Sequence, residues 1–203
     1  MNDRPIVFVS STIRALISGR KQQTRRLMWG KPRATQQGHG ERPSAMFVAT
    51  DDLGRSALRY RPATIWHEIT AGDRLWVKEA FATGGSAQSP IVYRADIANA
   101  EGMAWRPSLH LPRRQSRLTL IVTEVRRERV QQITREDAIA EGVQWDKGGR
   151  RWHFDGALAD RRDPRRVFEK FWRELHGDEG WDADPEVAVI TFTVLTANID
   201  AAA

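Results

Sequence analysis

Apolar positions along the chain follow two spacings, and where either one holds it predicts an element. Ile6-Val7-Phe8-Val9, just after Pro5, is an unbroken apolar run that reads as a buried strand, and Ser10-Ser11-Thr12 behind it supplies helix caps. Ile13, Leu16 and Ile17 recur at helical spacing, and Gly19 stands where a left-handed C-terminal cap belongs, so this helix is about two turns long. The basic segment 20–26 then turns into a strand. Between positions 30 and 64 the periodicity weakens, except that 46–50 and 56–61 flank Asp51-Asp52-Leu53-Gly54 as the arms of a surface hairpin. Gly72-Asp73 is a turn opening Arg74-Leu75-Trp76-Val77-Lys78-Glu79, a strand with Leu75 and Val77 on one face and Trp76 and Lys78 on the other. Ile91-Val92-Tyr93-Arg94 is a further strand candidate, positions 99–114 read as a long loop, and 118–125 and 187–194 are the strongest strands. Thr134 caps a helix that Gly142 ends, with Asp137 in a near-capping-box position. Asp163-Pro164 opens another, which buries Val167, Phe168, Phe171, Trp172 and Leu175 before Gly177. Strands outnumber helices and no βαβ alternation or repeat is visible. The pattern therefore predicts an α+β fold, a mixed β-barrel with two or three flanking helices.

Composition narrows what such a fold does. With 203 residues, of which 15 are Gly and 9 Pro, and with charged side chains dispersed among apolar ones, the chain is globular and of a length for one domain. The absence of Cys removes disulfide scaffolds, thiolate metal sites and cysteine nucleophiles. His39, His67, His110, His153 and His176 form no ligand-spaced pair, so neither a metal nor another cofactor is expected. No apolar run approaches the eighteen or so residues of a membrane span, and Met-Asn-Asp-Arg-Pro lacks a signal-peptide core, which predicts a cytoplasmic protein without a membrane partner. Nothing in the pattern specifies an oligomeric state. The formal net charge is +6 and the arginines come in doublets, at 25–26, 113–114, 126–127, 150–151, 161–162 and 165–166. Together with 8 Trp, this suits RNA or another single-stranded nucleic acid, although arginine doublets also occur on plain solvated faces.

Two places suggest chemistry. Glu141 falls in the last turn of its helix, where the negative end of the dipole disfavours the charged carboxylate by about 0.3–1 kcal/mol. Such a placement suits a general acid, and it is also common on solvated surfaces. Lys21 is crowded by Arg20, Arg25 and Arg26, so burial would let it release its proton and serve as a base. Thr24, three positions on, is a nucleophile only if a base takes its proton, and Lys21 reaches it only if the segment turns. The plain alternative is a solvated loop lysine beside a strand threonine.

The stretch Ala15-Leu16-Ile17-Ser18-Gly19-Arg20-Lys21-Gln22-Gln23-Thr24-Arg25-Arg26, followed by Gly72-Asp73-Arg74-Leu75-Trp76-Val77-Lys78-Glu79, resembles the ASCH domain, a small PUA-like β-barrel. Further along, Trp105-Arg106-Pro107-Ser108, the strand 117–125, Ala138-Ile139-Ala140-Glu141-Gly142-Val143 and the closing strand are similar in order to ASCH proteins of phages and prophages. The resemblance spans most of the chain, positions 1–200, with insertions near 30–65, 82–115 and 143–163 relative to the compact members. ASCH enzymes that hydrolyse N4-acetylcytidine carry Gly-Arg-Lys-x-x-Thr-x-Arg, matched here by Gly19, Arg20, Lys21, Thr24 and Arg26. The resemblance implies Lys21 as proton acceptor, Thr24 as nucleophile and Glu141 as proton donor, with Arg20, Arg26, Trp76, Lys78 and Glu79 as substrate-binding residues. It implies an amidohydrolase that removes an acyl group from N4-acylated cytidine or a related modified nucleoside or base. The rival expectation is a non-catalytic ASCH module that reads RNA or modified nucleic acid, its cleft recognising a flipped-out base. A phage accessory protein that binds a host protein is a third.

Overall fold

The structure is a computed structural model that describes residues 1–30, 44–50, 54–83, 90–97, 102–155 and 158–201. Its elements follow the order β1 (Asp3–Val7), α1 (Ser10–Ile17), β2 (Gln23–Leu27), β3 (Ser44–Thr50), β4 (Ser56–Pro62), β5 (Arg74–Lys78), β6 (Phe81–Thr83), β7 (Ile91–Tyr93), β8 (Thr119–Arg129), α2 (Arg135–Ala140), β9 (Gln144–Asp146), β10 (Arg151–Phe154), β11 (Leu158–Asp160), α3 (Pro164–His176), α4 (Asp178–Asp182) and β12 (Glu186–Leu195). The fold is α+β, a mainly sheet core with a few helices. Its central sheet has the order β1-β5-β8-β12-β2, with β1 parallel to β5 and the other pairings antiparallel.

Among the described residues this sheet is not closed by hydrogen bonding, and β1 and β2 are its two edges. An edge explains why β1 begins at Asp3, before the apolar run, and tolerates Pro5, which has no N–H to donate. The turn before β5 holds this edge in place. Gly72 takes φ +87°, and the fully buried Asp73 carboxylate accepts hydrogen bonds from the Asn2 and Thr70 backbone N–H groups.

Two cores lie against the sheet and share β12, whose side chains alternate between them. Ala188, Ile190 and Phe192 join Leu75, Val77, Leu118, Leu120 and Val122 with Ile13 and Leu16 of α1 in the first core. Val187 and Val189 join α2, α3 and Phe154 of β10 in the second. In β8 the register with β12 shifts between Thr191 and Phe192, and the extra residue lets both Val122 and Val125 pack toward the first core.

The helices follow their caps. Thr134 and Asp137 form a full capping box on α2, and Asp163 caps α3 ahead of Pro164. Ser10-Ser11-Thr12 behave otherwise than the pattern predicts: they lie inside α1, whose cap position is Val9 with no side-chain cap bond. The hairpin expected around position 53 forms as β3 paired with β4, and residues 51–53 lie outside the described set. Within 143–163 the chain builds a small β11-β10-β9 sheet. No described helix is long and apolar enough to cross a membrane.

Candidate functional site

Where the two sheet edges face each other, a cavity of about 500 Å³ opens, within the size range of small-molecule sites. One wall is the end of β1 and the residues after it, Val7, Phe8 and Val9. The facing wall is β2 with Thr24, Arg25, Arg26 and Leu27, and α3 covers a third side with Phe168, Phe171, Trp172 and His176. One side chain spans the seam: Arg26 of β2 donates from Nη2 to the Val7 carbonyl oxygen at 2.9 Å.

Lys21 enters the cavity from the turn between α1 and β2. Its backbone N–H donates to Ala15 O, and the neighbouring Gln22 N–H donates to Ala140 O, which ties this turn to the end of α2. The side chain is 2% exposed. Its Nζ donates to Glu141 Oε2 at 2.5 Å and to the Glu141 carbonyl oxygen at 2.9 Å. Burial pushes the Lys21 ammonium below the usual lysine range, against the pull of Glu141, and the charges of Arg26 and Arg25 push the same way.

Glu141 is the C-cap residue of α2, one position beyond the last helical turn. Gly142 behind it takes φ +109°, and a Cβ there would sit 3.2 Å from both Ala15 Cβ and Phe154 Cε2. Only glycine lets the helix end this closely against α1 and β10, and that approach aims both oxygens of the Glu141 contact at Lys21. The second carboxylate oxygen, Oε1, accepts from Arg25 Nη1 at 3.2 Å.

Arg25 was not among the expected site residues, and its side chain is fully buried. Beyond Glu141 it donates to Glu128 Oε1 at 2.5 Å, Asp137 Oδ2 at 2.9 Å and Gln23 Oε1 at 2.8 Å. Burial opposes ionisation of Asp137, but the hydrogen bond from Arg126 and the charge of Arg25 outweigh it and hold the carboxyl down to about 2. Lys21, Arg25, Arg126, Glu128, Asp137 and Glu141 thus form one connected ionic network beneath the cavity floor.

Thr24 is 4% exposed and lines the same cavity, and no described residue hydrogen-bonds its hydroxyl. The Arg26 guanidinium lies over the Phe8 ring at 4.6 Å and the Trp66 ring at 5.6 Å, and its Nε is buried without a partner. Desolvation pushes Arg26 down to about 10, so it still carries its charge at neutral pH. His176 packs against Trp172 with ring centroids 4.3 Å apart and the rings tilted by 37°, and burial, with the charge of Arg26, holds the imidazole below its usual range.

The structure thus brings together Lys21, Thr24, Arg26 and Glu141, and does not bring Arg20, Trp76, Lys78 or Glu79 to this cavity. Arg20 Nε donates to Ser18 Oγ beside the cap of α1. Trp76 and Lys78 occupy the β5 face opposite Leu75 and Val77, with Lys78 Nζ 5.1 Å above the Trp76 ring. Glu79 is 1% exposed and takes a two-pronged hydrogen bond from Arg117 at 2.8 and 2.9 Å; burial pushes its carboxyl up while Arg117 pulls it down. Besides Arg25, the cavity contains Phe8, Trp66 and His176, which no spacing pattern marked. The position of Phe8 within an apolar run was their one readable signal. Comparisons with protein-family models, with curated proteins and with solved structures find no match to this chain.

Proposed function

We infer that the chain is an ASCH-type, PUA-like amidohydrolase acting on an N4-acylated cytidine or a related modified nucleoside. The observation that carries this reading is the buried contact of Lys21 Nζ with Glu141 Oε2 at 2.5 Å, in a cavity that also exposes the unengaged Thr24 hydroxyl. The pair holds one mobile proton. Passed across the hydrogen bond, that proton leaves Lys21 as an amine beside the Glu141 carboxyl group, and burial together with the charges of Arg26 and Arg25 favours the uncharged Lys21. A base and an acid are then present together, with no proton gained or lost.

In this reading the Lys21 amine takes the Thr24 hydroxyl proton as Oγ1 attacks the acyl carbon. The tetrahedral intermediate collapses, the C–N bond breaks, and Glu141 protonates the departing exocyclic amine. Water then cleaves the threonyl ester and releases the carboxylic acid, so the sum is amide plus water to amine plus acid. The free Nε–H of Arg26 offers a donor to a substrate carbonyl oxygen, and Phe8, Trp66, Phe171 and Trp172 give a planar base rings to pack on. Among the doublet arginines, Arg25, Arg113, Arg126, Arg151 and Arg165 are ion-paired within the chain, which engages those five away from a polymer.

The test is incubation of the protein with N4-acetylcytidine, with release of cytidine followed by chromatography. Loss of one catalytic group costs about 10²–10⁴-fold, so Lys21→Arg, Thr24→Ala and Glu141→Gln should each fall at least that far while retaining the native circular dichroism spectrum. Full turnover by Thr24→Ala would remove the nucleophile from this scheme, and no turnover by the wild type would defeat the reading.

A further inference from the structure

A second cavity, of about 380 Å³, adjoins the first, and the two share Val9 and Ser108 as lining residues. Its other walls include Ser10, Ala80, Arg94, Trp105 and Arg106, and among the described residues no carboxylate lines it. The two arginines are set on fixed backbone. Arg94 N–H donates to Ala80 O at 2.9 Å, and Arg106 exchanges backbone hydrogen bonds with the neighbouring Phe81 at 2.7 and 3.2 Å. Phe81 is 1% exposed and Ala95, next to Arg94, is 6% exposed, so each arginine root adjoins buried chain.

Their guanidinium groups are used differently from most others here. Arg74, Arg113, Arg117 and Arg126 all meet carboxylates, whereas among the described residues Arg94 and Arg106 have neither a side-chain hydrogen bond nor an ion pair. Arg94 lies 6.0 Å from the Trp105 ring centroid. The first turn of α1, opening at Ser10 on the cavity wall, contains no acidic residue. Two uncompensated guanidinium groups and an indole around a concave space suit an anion carried beside a flat ring, which is the chemistry of a nucleotide phosphate and its base.

We propose that the second cavity is a phosphate subsite, so that the substrate of the first is a nucleotide, free or within a single strand, rather than a bare nucleoside. The proposal rests on the amidohydrolase reading for the identity of the base, but the subsite can be tested without turnover. The first cavity takes the acylated cytosine, and the sugar passes Val9 and Ser108. The phosphate then meets Arg94 and Arg106.

Four substrates separate the possibilities: N4-acetylcytidine, its 5′-monophosphate, and trinucleotides, in RNA and in DNA, with the modified base at the centre. The phosphate-bearing substrates should show kcat/KM at least about tenfold above the nucleoside, the equivalent of one charge-assisted contact. In Arg94→Gln/Arg106→Gln that ratio should fall to about one. Independently of hydrolysis, the wild type should bind unmodified tricytidylate with an affinity that falls as salt rises, by about 0.7 log units per log unit for each phosphate contacted. The double variant should lose that dependence. A gain complete with the monophosphate makes the ligand a free nucleotide, and a gain that needs the trinucleotide makes it a strand. Equal kcat/KM for nucleoside and nucleotide, or tricytidylate binding unchanged in the double variant, overturns the subsite and leaves the amidohydrolase reading intact. Arginine-dependent binding without hydrolysis of any substrate keeps the subsite and discards that reading.

Discussion

At the scale of single residues, the molecule shows what burial does to charge. Glu141→Leu would leave the Lys21 ammonium desolvated with only a carbonyl oxygen for company, and breaking a buried pair this way costs about 3–5 kcal/mol. Lys21→Met/Glu141→Leu should recover most of that loss in urea unfolding, because Arg25 keeps Glu128 and Asp137 as partners. A double variant as unstable as the single one would mean that packing, not charge, sets the cost. The same pair predicts a bell-shaped pH profile of kcat/KM, with an alkaline limb below the ordinary lysine value of 10.5, since burial lowers Lys21. Asp137 gives a second pH dependence. Its folded value of about 2 lies below the unfolded carboxylate range, so its stabilising effect is complete above about pH 4 and is lost as the pH falls through 2. Asp137→Asn should flatten the stability profile across that window, measured by urea midpoints at successive pH values. Lys21 and Thr24 stood out by a short motif and Glu141 by its place at a helix end, and what the sequence could not show is that the three share one cavity. Arg25 was not legible, since a doublet reads as a solvated face, and its partners Glu128, Asp137 and Glu141 lie more than a hundred positions away.

Among the elements, those with strong end signals were readable from the sequence. The capping box of α2, the Asp-Pro start of α3 and the glycine after each are local chemistry, and so is the β-branched run of β12. The misses have a common cause. β9, β10 and β11 are three or four residues long, too short to display a period, and they exist because they pair with one another and pack on α3. β1 extends to Asp3 because backbone pairing with β5, rather than apolar side chains, defines it. The end of α2 is where an element and the site are coupled. Gly142→Ala forces a side chain into a positive-φ position already crowded by Ala15 and Phe154, and should destabilise by about 1–3 kcal/mol in chemical unfolding. Because the Glu141 carbonyl oxygen holds Lys21, its turnover should fall by more than the unfolded fraction accounts for.

For the whole molecule, the sharing of β12 matters most. Two cores that alternate along one strand cannot melt independently, so far-ultraviolet and near-ultraviolet dichroism should report one coincident thermal transition. Separate transitions would mean that the α2–α3 layer is a unit of its own. The sheet-rich α+β core was legible from the sequence, but the seam between β1 and β2 was not. Which edges meet is a long-range outcome that no local pattern encodes.

The pairing of Lys21 with Glu141 also bears on how the chain reaches its final form. The two are separated by 120 positions, and Glu141 is placed only after β5, β8 and α2 have been laid down. Until then Lys21 has every reason to stay in water, because enclosing a lone ammonium is costly. The turn that bears it is therefore expected to close only once its counter-charge is in place, so Glu141→Leu should make the chain easier to cleave beside Lys21 in limited proteolysis. The ion pair that equips the cavity thus also ties a turn near the start of the chain to the end of a helix far along it.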